Sequence, residues 1–480
     1  MTVLNKYQHR ILLICIITAA IWLRFKGLVF QSYWADEIVT LALAQPDNTL
    51  LQVINSALRD NTTPLYQVLM WSWFNIFGFT EYHGRSLSAV IGTCSVITMY
   101  YLAKEYISRR AAIIAALIAT TNQYLIYYSQ EARSYQLLFL LAALSLLFLS
   151  RFLRKKTSLE FYIYTLLCVC LVQTHYYGIL VYLVQASLIL IHAYFLDPGN
   201  AVIKKRFWIN SGITFLSLLP AMPYLVKNAQ RTEFWIQTPE PFFFIDYFNK
   251  YFPDGLLASF FTVLMLAGLY NLWGTPDQRK KNILYLVPLS LLFIYLLPYI
   301  YSLLSLPMLM PKYTIGMLPV ILLLSCEGLE FINYRSTRFF LVVFLILLSI
   351  NVLFIENNYY RKVTKEQYRE ALEYIASYNE KPVVYYKYDS LKLYSTMLGY
   401  KFDIRETSKT SLEDIRKNHG DFWLILRYDR LFTWSSLLDD KFEFIKAKDI
   451  KLQRNNKLHN VRVLQYVFVP GYITGQYMYR

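Results

Sequence analysis

Charge is scarce in this sequence: Asp, Glu, Lys and Arg make up 17% of 480 residues, where a soluble globular chain carries about a quarter. Cysteine is scarcer still, at five residues spread thinly, which excludes a disulfide-stapled scaffold. Gly and Pro number 16 each, too few for a collagen-like or Pro/Gly-rich disordered chain. There is no internal repeat of fixed period, and no glycine-rich phosphate loop after residue 356. What is abundant is apolar and aromatic: 56% hydrophobic residues, 17% Phe, Trp and Tyr, and a mean hydropathy of +0.32. These values define an integral membrane protein.

Basic residues outnumber acidic ones, 48 to 32, for a net charge of +16. A nucleic-acid partner would concentrate that charge on one basic surface, but here it follows membrane spans. Apolar runs long enough to cross a bilayer occur near 11–30, 84–103, 111–129, 132–150, 160–175, 177–196, 207–226, 256–274, 283–304, 313–332 and 339–356. Alternate connections hold 17 of the basic residues, the opposite connections and span ends hold 9, and 22 lie after residue 356. The positive-inside rule then puts the N-terminus in the cytoplasm and, after eleven spans, the C-terminal region outside. The first run, Ile11 to Leu23, is short and meets Arg24 and Lys26. A cleaved signal peptide is the alternative there, but apolar character resumes at Leu28–Phe30, so a retained helix with both basic side chains snorkelling outward is expected.

All five cysteines, 15, 94, 168, 170 and 326, fall inside spans and read as small packing residues. Cys168 and Cys170, two apart on a helix, face different directions. The sequence supports no metal site and calls for no cofactor.

The expected outer face carries the longer connections. In the first, 41–58 and 65–77 have the amphipathic character of helices lying along the membrane surface, separated by Asn61-Thr62-Thr63-Pro64. Residues 1–356 thus form an all-α membrane domain. From 357 to 480 the composition becomes that of a soluble domain, with 22 basic and 15 acidic residues. Helices are expected at 368–378, 391–398 and 411–418, and strands at 382–388, 400–405, 422–427, 441–451 and 462–469, giving a small α/β sheet domain of no evident role.

Four polar clusters stand at the expected outer ends of spans, where ionisable groups are costly unless partnered. Asp36 and Glu37 follow Tyr33 and Trp34 after the first span. They suit a general base held against a membrane-borne substrate, or an aromatic anchor followed by a solvated acidic helix start. Glu131 and Arg133 sit in a tight turn, Tyr127 to Tyr135, suited to bidentate phosphate binding or to a helix-locking ion pair. Thr174-His175-Tyr176-Tyr177-Gly178 forms another turn, whose lone His reads first as a structural hydrogen-bonding residue. Pro311-Lys312-Tyr313 opens the tenth span, with Lys312 neutralising a phosphate or snorkelling to the surface. Together they suit a substrate that is lipid-linked and phosphorylated, with a hydroxylated part held by aromatic rings. The segment with Arg231, Glu233, Trp235, Glu240 and Asp246 reads as a substrate lid or as aromatics resting on headgroups.

Tyr33-Trp34-Ala35-Asp36-Glu37, Thr63-Pro64-Leu65-Tyr66, Arg85 at the start of the second span, Tyr127 through Tyr135, Thr174 through Gly178, and Lys312-Tyr313 with Pro319, in this order, resemble the bacterial GT-C membrane glycosyltransferases. The nearest groups are the protein O-mannosyltransferase-like and aminoarabinose-transferase-like families, and the likeness covers about residues 10–355. The resemblance implies sugar transfer from a polyprenyl-phosphate donor to a glycan, lipid or protein hydroxyl outside the cytoplasm, with inversion. It implies Asp36 as catalytic base, Glu37 beside it, and Arg133, Lys312 and Arg85 at the donor phosphate. Glu131 would hold Arg133, with Tyr135, His175, Tyr176 and Tyr313 supporting. Two positions depart from the family pattern: Thr62 and Thr63 replace an acid and a lysine, and Lys312 stands where many relatives have arginine. A lipid-sugar flippase or transporter and a non-catalytic assembly protein are the alternatives. A transporter would place ionisable groups near the bilayer midplane rather than at one face, and an assembly protein would need no paired acids and cations.

Overall fold

The computed structural model describes residues 6–60, 62–229, 236–378, 382–386, 390–406, 422–427, 444–451 and 461–468. The helices of the first half are α1 (Lys6–Phe25), α2 (Ala35–Leu43), α3 (Leu50–Arg59), α4 (Leu65–Phe77), α5 (Glu81–Tyr106), α6 (Arg109–Thr121), α7 (Gln123–Ser129), α8 (Tyr135–Lys155), α9 (Ser158–Val172) and α10 (Tyr177–Ile191). They are followed by α11 (Ala201–Leu218), α12 (Met222–Ala229), α13 (Phe243–Tyr251), α14 (Gly255–Trp273), α15 (Gln278–Ser290), α16 (Leu297–Leu304), α17 (Leu318–Phe331), α18 (Arg335–Asn351), α19 (Tyr368–Ala376) and α20 (Ser390–Met397).

Among the described residues nine helical segments are long and apolar enough to cross a membrane, and the bent pair α6–α7 makes a tenth. The remaining expected span, the fifth at 160–175, is α9, a shorter apolar helix of 15 residues. The chain is a multi-pass membrane protein.

Contacts divide the chain into two compact units. The first comprises Met1–Lys26, Asn48–Ser72 and Arg85–Tyr359; the second comprises Gly27–Asp47, Trp73–Gly84 and Tyr360–Arg480. The second unit joins the C-terminal region from Tyr360 to pieces of the first long connection, which composition alone groups with the membrane helices.

In the first unit α8 and α17 are central, with 78% and 89% of their spans buried, whereas α1, α11 and α18 are about one-fifth buried and present apolar side chains outward. With lipid as solvent there is no hydrophobic drive between helices, so close backbone approach matters more. Gly268 and Gly328 supply it: a Cβ on either would collide with a carbonyl of the facing helix, Leu324 or Leu264, in the α14–α17 pair.

Three expectations need correction. Arg24 does not snorkel. It is fully buried and donates to the carbonyls of Ala119 (2.8 Å) and Thr120 (3.4 Å), where α6 runs out of intrahelical partners. Lys26 is exposed, its ammonium 4.4 Å from the Trp22 ring centroid. The third span is not straight but bends by 62° at Asn122, whose side chain caps α7 by accepting from Leu125 N at 2.9 Å. Residues 41–58 are not one helix either, since α2 ends before Gln45-Pro46 and Thr49 opens α3 with its own cap.

The second unit holds a five-stranded sheet with strands β1 (Val383–Tyr386), β2 (Asp403–Glu406), β3 (Phe422–Arg427), β4 (Phe444–Lys451) and β5 (Val461–Phe468), in the order β2-β1-β3-β5-β4. β1 runs parallel to β2 and β3, while β5 runs antiparallel to β3 and β4. All five strands match sequence expectation to within a few residues. The helix expected at 411–418 lies outside the described residues. α19 buries Tyr368, Ala371, Leu372 and Ile375, one face at helical spacing.

Candidate functional site: a cation–tyrosine cluster and a clamped acidic turn

In the first unit, the turn after α7 is fixed by a residue whose role is not legible from its sequence position. Gln130 donates to the carbonyls of Leu23 (3.3 Å), Arg24 (2.9 Å) and Lys26 (2.7 Å), covering the open end of α1, and accepts from the Tyr359 hydroxyl at 3.0 Å. The Glu131 carbonyl takes the Arg133 N–H at 2.8 Å and closes the turn. The Glu131 carboxylate, 1% exposed, receives the Tyr127 hydroxyl.

This turn delivers Arg133 and Tyr135 to a cluster that also receives the α9–α10 turn and the segment leading into α17. The Arg133 guanidinium lies 5.8 Å and the Lys312 ammonium 5.4 Å from the Tyr135 ring centroid, and Lys312 is 5.7 Å from that of Tyr313. His175 packs against both rings, 4.9 Å from Tyr313 and 5.8 Å from Tyr135, which are themselves 6.1 Å apart. Lys312 is 8% exposed, and the Tyr124 hydroxyl holds the preceding Pro311 carbonyl at 2.6 Å. Gly178 is required at the α9–α10 turn because a Cβ there would meet the Leu171 carbonyl.

His175 is the neutral member. Burial first, and then the nearby Arg133 and Lys312 charges, push its pKa down to about 3. Its Nδ1 accepts the Tyr177 N–H at 3.1 Å, which assigns the ring proton of the neutral form to Nε2. The cluster therefore presents two cations and an imidazole N–H beside tyrosine hydroxyls. Tyr176 adds a buried hydroxyl with no hydrogen-bond partner among the described residues. Such a donor set matches a phosphate group, including one that gains charge as it leaves.

Further tyrosines pack against this cluster, of which Tyr251 and Tyr295 were not singled out from sequence. Tyr177 packs on Tyr313 at 5.5 Å and donates to the Met308 carbonyl at 2.9 Å. Tyr251, on the inner face of α13, hydrogen-bonds with the hydroxyls of Tyr295 (2.7 Å) and Thr314 (2.5 Å). The i, i+4, i+8 spacing of Phe243, Tyr247 and Tyr251 was the available signal. Of the suggested lid, Glu240 and Asp246 are exposed, while Arg231, Glu233 and Trp235 lie outside the described residues. Arg85 is buried in α5 at 2% exposure.

The acidic pair belongs to the second unit. Asp36 and Glu37 occupy the first turn of α2, where carboxylates oppose the positive end of the helix. Asp36 is half-buried; Glu37 is fully buried and pairs with Lys365 at 3.3 Å. Glu366 accepts the Ala35 N–H at 2.9 Å. Nearby, Glu81 receives Arg369 at 2.5 Å and also the Tyr394 hydroxyl, whose pKa burial and the Glu81 charge hold well above its ordinary value. Lys365, Glu366 and Arg369 carried no signal in sequence, being three charges among many in a polar stretch. No group of three or more potential metal ligands occurs among the described residues.

Residues 61–226, about a third of the chain, match the family model described as dolichyl-phosphate-mannose-protein mannosyltransferase. No curated protein matches by sequence. Among solved structures, the fold is similar to ArnT from Cupriavidus metallidurans in the apo state (TM-score 0.58, 12% identity, 94% of this chain and 97% of that one). It is equally similar to the same protein bound to undecaprenyl phosphate (0.57, 11%, 94% and 97%). The archaeal oligosaccharyltransferase AglB from Archaeoglobus fulgidus, in complex with an inhibitory peptide and a dolichol-phosphate, is also similar (0.52, 12%, 84% and 65%). The fold is thus that of the GT-C membrane glycosyltransferases. The family signature over residues 61–226 agrees with that fold.

Proposed function

We propose that this enzyme transfers a sugar from a polyprenyl-phosphate donor to a hydroxyl of a glycan, lipid or protein acceptor at the extracytoplasmic face of the membrane. The observation that carries the reading is the pairing of Arg133 and Lys312 around one tyrosine ring, beside a histidine kept neutral. The neighbours support it: ArnT has been captured with undecaprenyl phosphate and AglB with a dolichol-phosphate.

In this reaction the acceptor oxygen attacks the anomeric carbon, the bond from that carbon to the phosphate oxygen breaks, and the acceptor proton passes to the Asp36 carboxylate. The configuration inverts in the single displacement. Arg133 and Lys312 stabilise the negative charge on the departing polyprenyl phosphate, with Arg85 assigned to the same anion. His175 Nε2–H and the hydroxyls of Tyr176 and Tyr313 orient it, while the Tyr135 ring holds the two cations. Glu131 orders the turn that carries Arg133, and Glu37 orders the turn that carries Asp36. Residues 1–356 carry catalysis, with residues 357–480 as an extracytoplasmic domain and the N-terminus in the cytoplasm.

The test is mass spectrometry of glycolipids and surface glycans from cells with and without the protein, and with Asp36→Asn. Loss of one sugar in both the deletion and the variant is expected, because Asn keeps the shape and removes the base. A variant that restores the full glycan profile would overturn the assignment. Cysteines introduced at Arg109 and Lys392 should label from opposite sides of the membrane; labelling of both from outside would refute the orientation.

A further inference from the structure

We propose that Lys365 and Glu366 are positioning residues of the transfer reaction, clamping the first turn of α2 so that the Asp36 carboxylate is presented in one fixed geometry. The inference rests on the assignment of Asp36 as base and deepens it.

The first turn of α2 has backbone N–H groups that no intrahelical carbonyl can reach. Two are taken by carboxylates: Trp34 N–H by Glu37 at 3.4 Å and Ala35 N–H by Glu366 at 2.9 Å. Glu37 is completely buried, and its charge is met by Lys365, itself 6% exposed in its side chain. Asp36 therefore sits between two residues each held by one of two consecutive side chains more than 300 positions away. The same strand of chain is fastened twice more. Gln31 Oε1 accepts the N–H groups of Thr364 (2.7 Å) and Lys365 (2.8 Å), and the Ser32 hydroxyl donates to the Glu366 carbonyl at 2.5 Å. Asp36 itself stays half-buried among these clamped neighbours.

A surface staple would use exposed charges, where an ion pair contributes little. Here the carboxylate is fully buried, so removing Lys365 alone takes a counter-charge from a buried carboxylate beside Asp36, while replacing both partners by neutral groups of similar shape does not.

Full-length variants are purified into lipid nanodiscs and returned to membranes of a strain lacking the protein, and sugar transfer is read as formation of polyprenyl phosphate. Affinity for undecaprenyl phosphate is measured separately. Lys365→Met and Glu366→Ala are expected to lower turnover roughly tenfold or more while leaving undecaprenyl phosphate affinity within about twofold, because positioning acts on the reacting geometry and not on the phosphate. Lys365→Arg and Glu366→Gln, which keep the charge and the acceptor oxygen, should retain most of the rate. The double variant Glu37→Gln/Lys365→Met should recover several-fold over Lys365→Met, as expected for a neutralised buried pair. Wild-type turnover in Lys365→Met would overturn the inference. So would losses that only track the amount of folded protein, with no recovery in the double variant. Asp36→Asn separates the two claims: full activity there removes the base assignment itself, whereas an inactive Asp36→Asn beside a fully active Lys365→Met removes only the clamp.

Discussion

The Lys312 ammonium lies 5.4 Å from the centroid of the Tyr135 ring, although 177 positions separate the two residues in the chain. Arg133 approaches the same ring from its own turn. Two cations beside one aromatic ring repel one another, and an anion bound between them relieves that repulsion. The ring is consequently part of the proposed anion site rather than neutral packing.

Replacing Tyr135 tests this. Tyr135→Phe keeps the ring face and should change donor KM little, whereas Tyr135→Leu removes a contact of about 1 kcal/mol and should raise donor KM about fivefold. Steady-state titration of donor decides; equal KM values would assign the ring to packing.

Arg133 should tolerate substitution unequally. Arg133→Lys keeps the charge but loses the planar fork, and Arg133→Ala loses both, so the rate of donor use should fall in the order Arg, Lys, Ala. Equal rates in the two variants would indicate that Arg133 packs the turn and does not touch the phosphate.

His175 makes stability depend on acid. The folded protein keeps the imidazole neutral down to about pH 3, whereas the unfolded chain protonates it near the ordinary value of 6.5. Between those values the unfolded state binds the extra proton. The residue therefore costs nothing above pH 6.5 and destabilises progressively below it, by at most about 1.4 kcal/mol per pH unit. Melting temperatures of the purified protein between pH 7 and 5 should fall less steeply in His175→Gln than in the wild type; parallel slopes would contradict the burial of His175.

Gly328 should not accept a side chain. Its Cβ would meet the Leu264 carbonyl, so Gly328→Leu is overpacked and should lose roughly 1–3 kcal/mol, seen as a lower melting temperature in detergent. Gly212→Ala, with nothing within 4 Å of the added carbon, is the matched control and should melt like the wild type or slightly above it.

Arg24 closes the α6 end from inside the bundle. Arg24→Met keeps most of the volume but strips the Ala119 and Thr120 carbonyls of their donor, at a cost of about 1–3 kcal/mol. A reduced melting temperature is expected. An unchanged one would mean that the bend at Asn122 is held without Arg24.

The sequence by itself determined that this chain lies in a membrane and where its helices run, because the hydrocarbon layer demands long apolar segments whatever their neighbours are. It also marked Arg133, Tyr135, His175, Lys312 and Tyr313 as candidates, since polar groups at span ends are costly enough to stand out one at a time. Strand positions in the C-terminal region were legible from period-two alternation for a similarly local reason. Tertiary structure decided the rest. Arg24 looks like a snorkelling residue until α6 supplies carbonyls for it, and Gln130 looks like one more polar turn residue until the end of α1 lies beneath it. Lys365 and Glu366 acquire meaning only once the chain returns to Asp36 and Glu37. Burial, ion pairing and the satisfaction of open helix ends depend on which distant atoms fold into reach, and no local period encodes that distance.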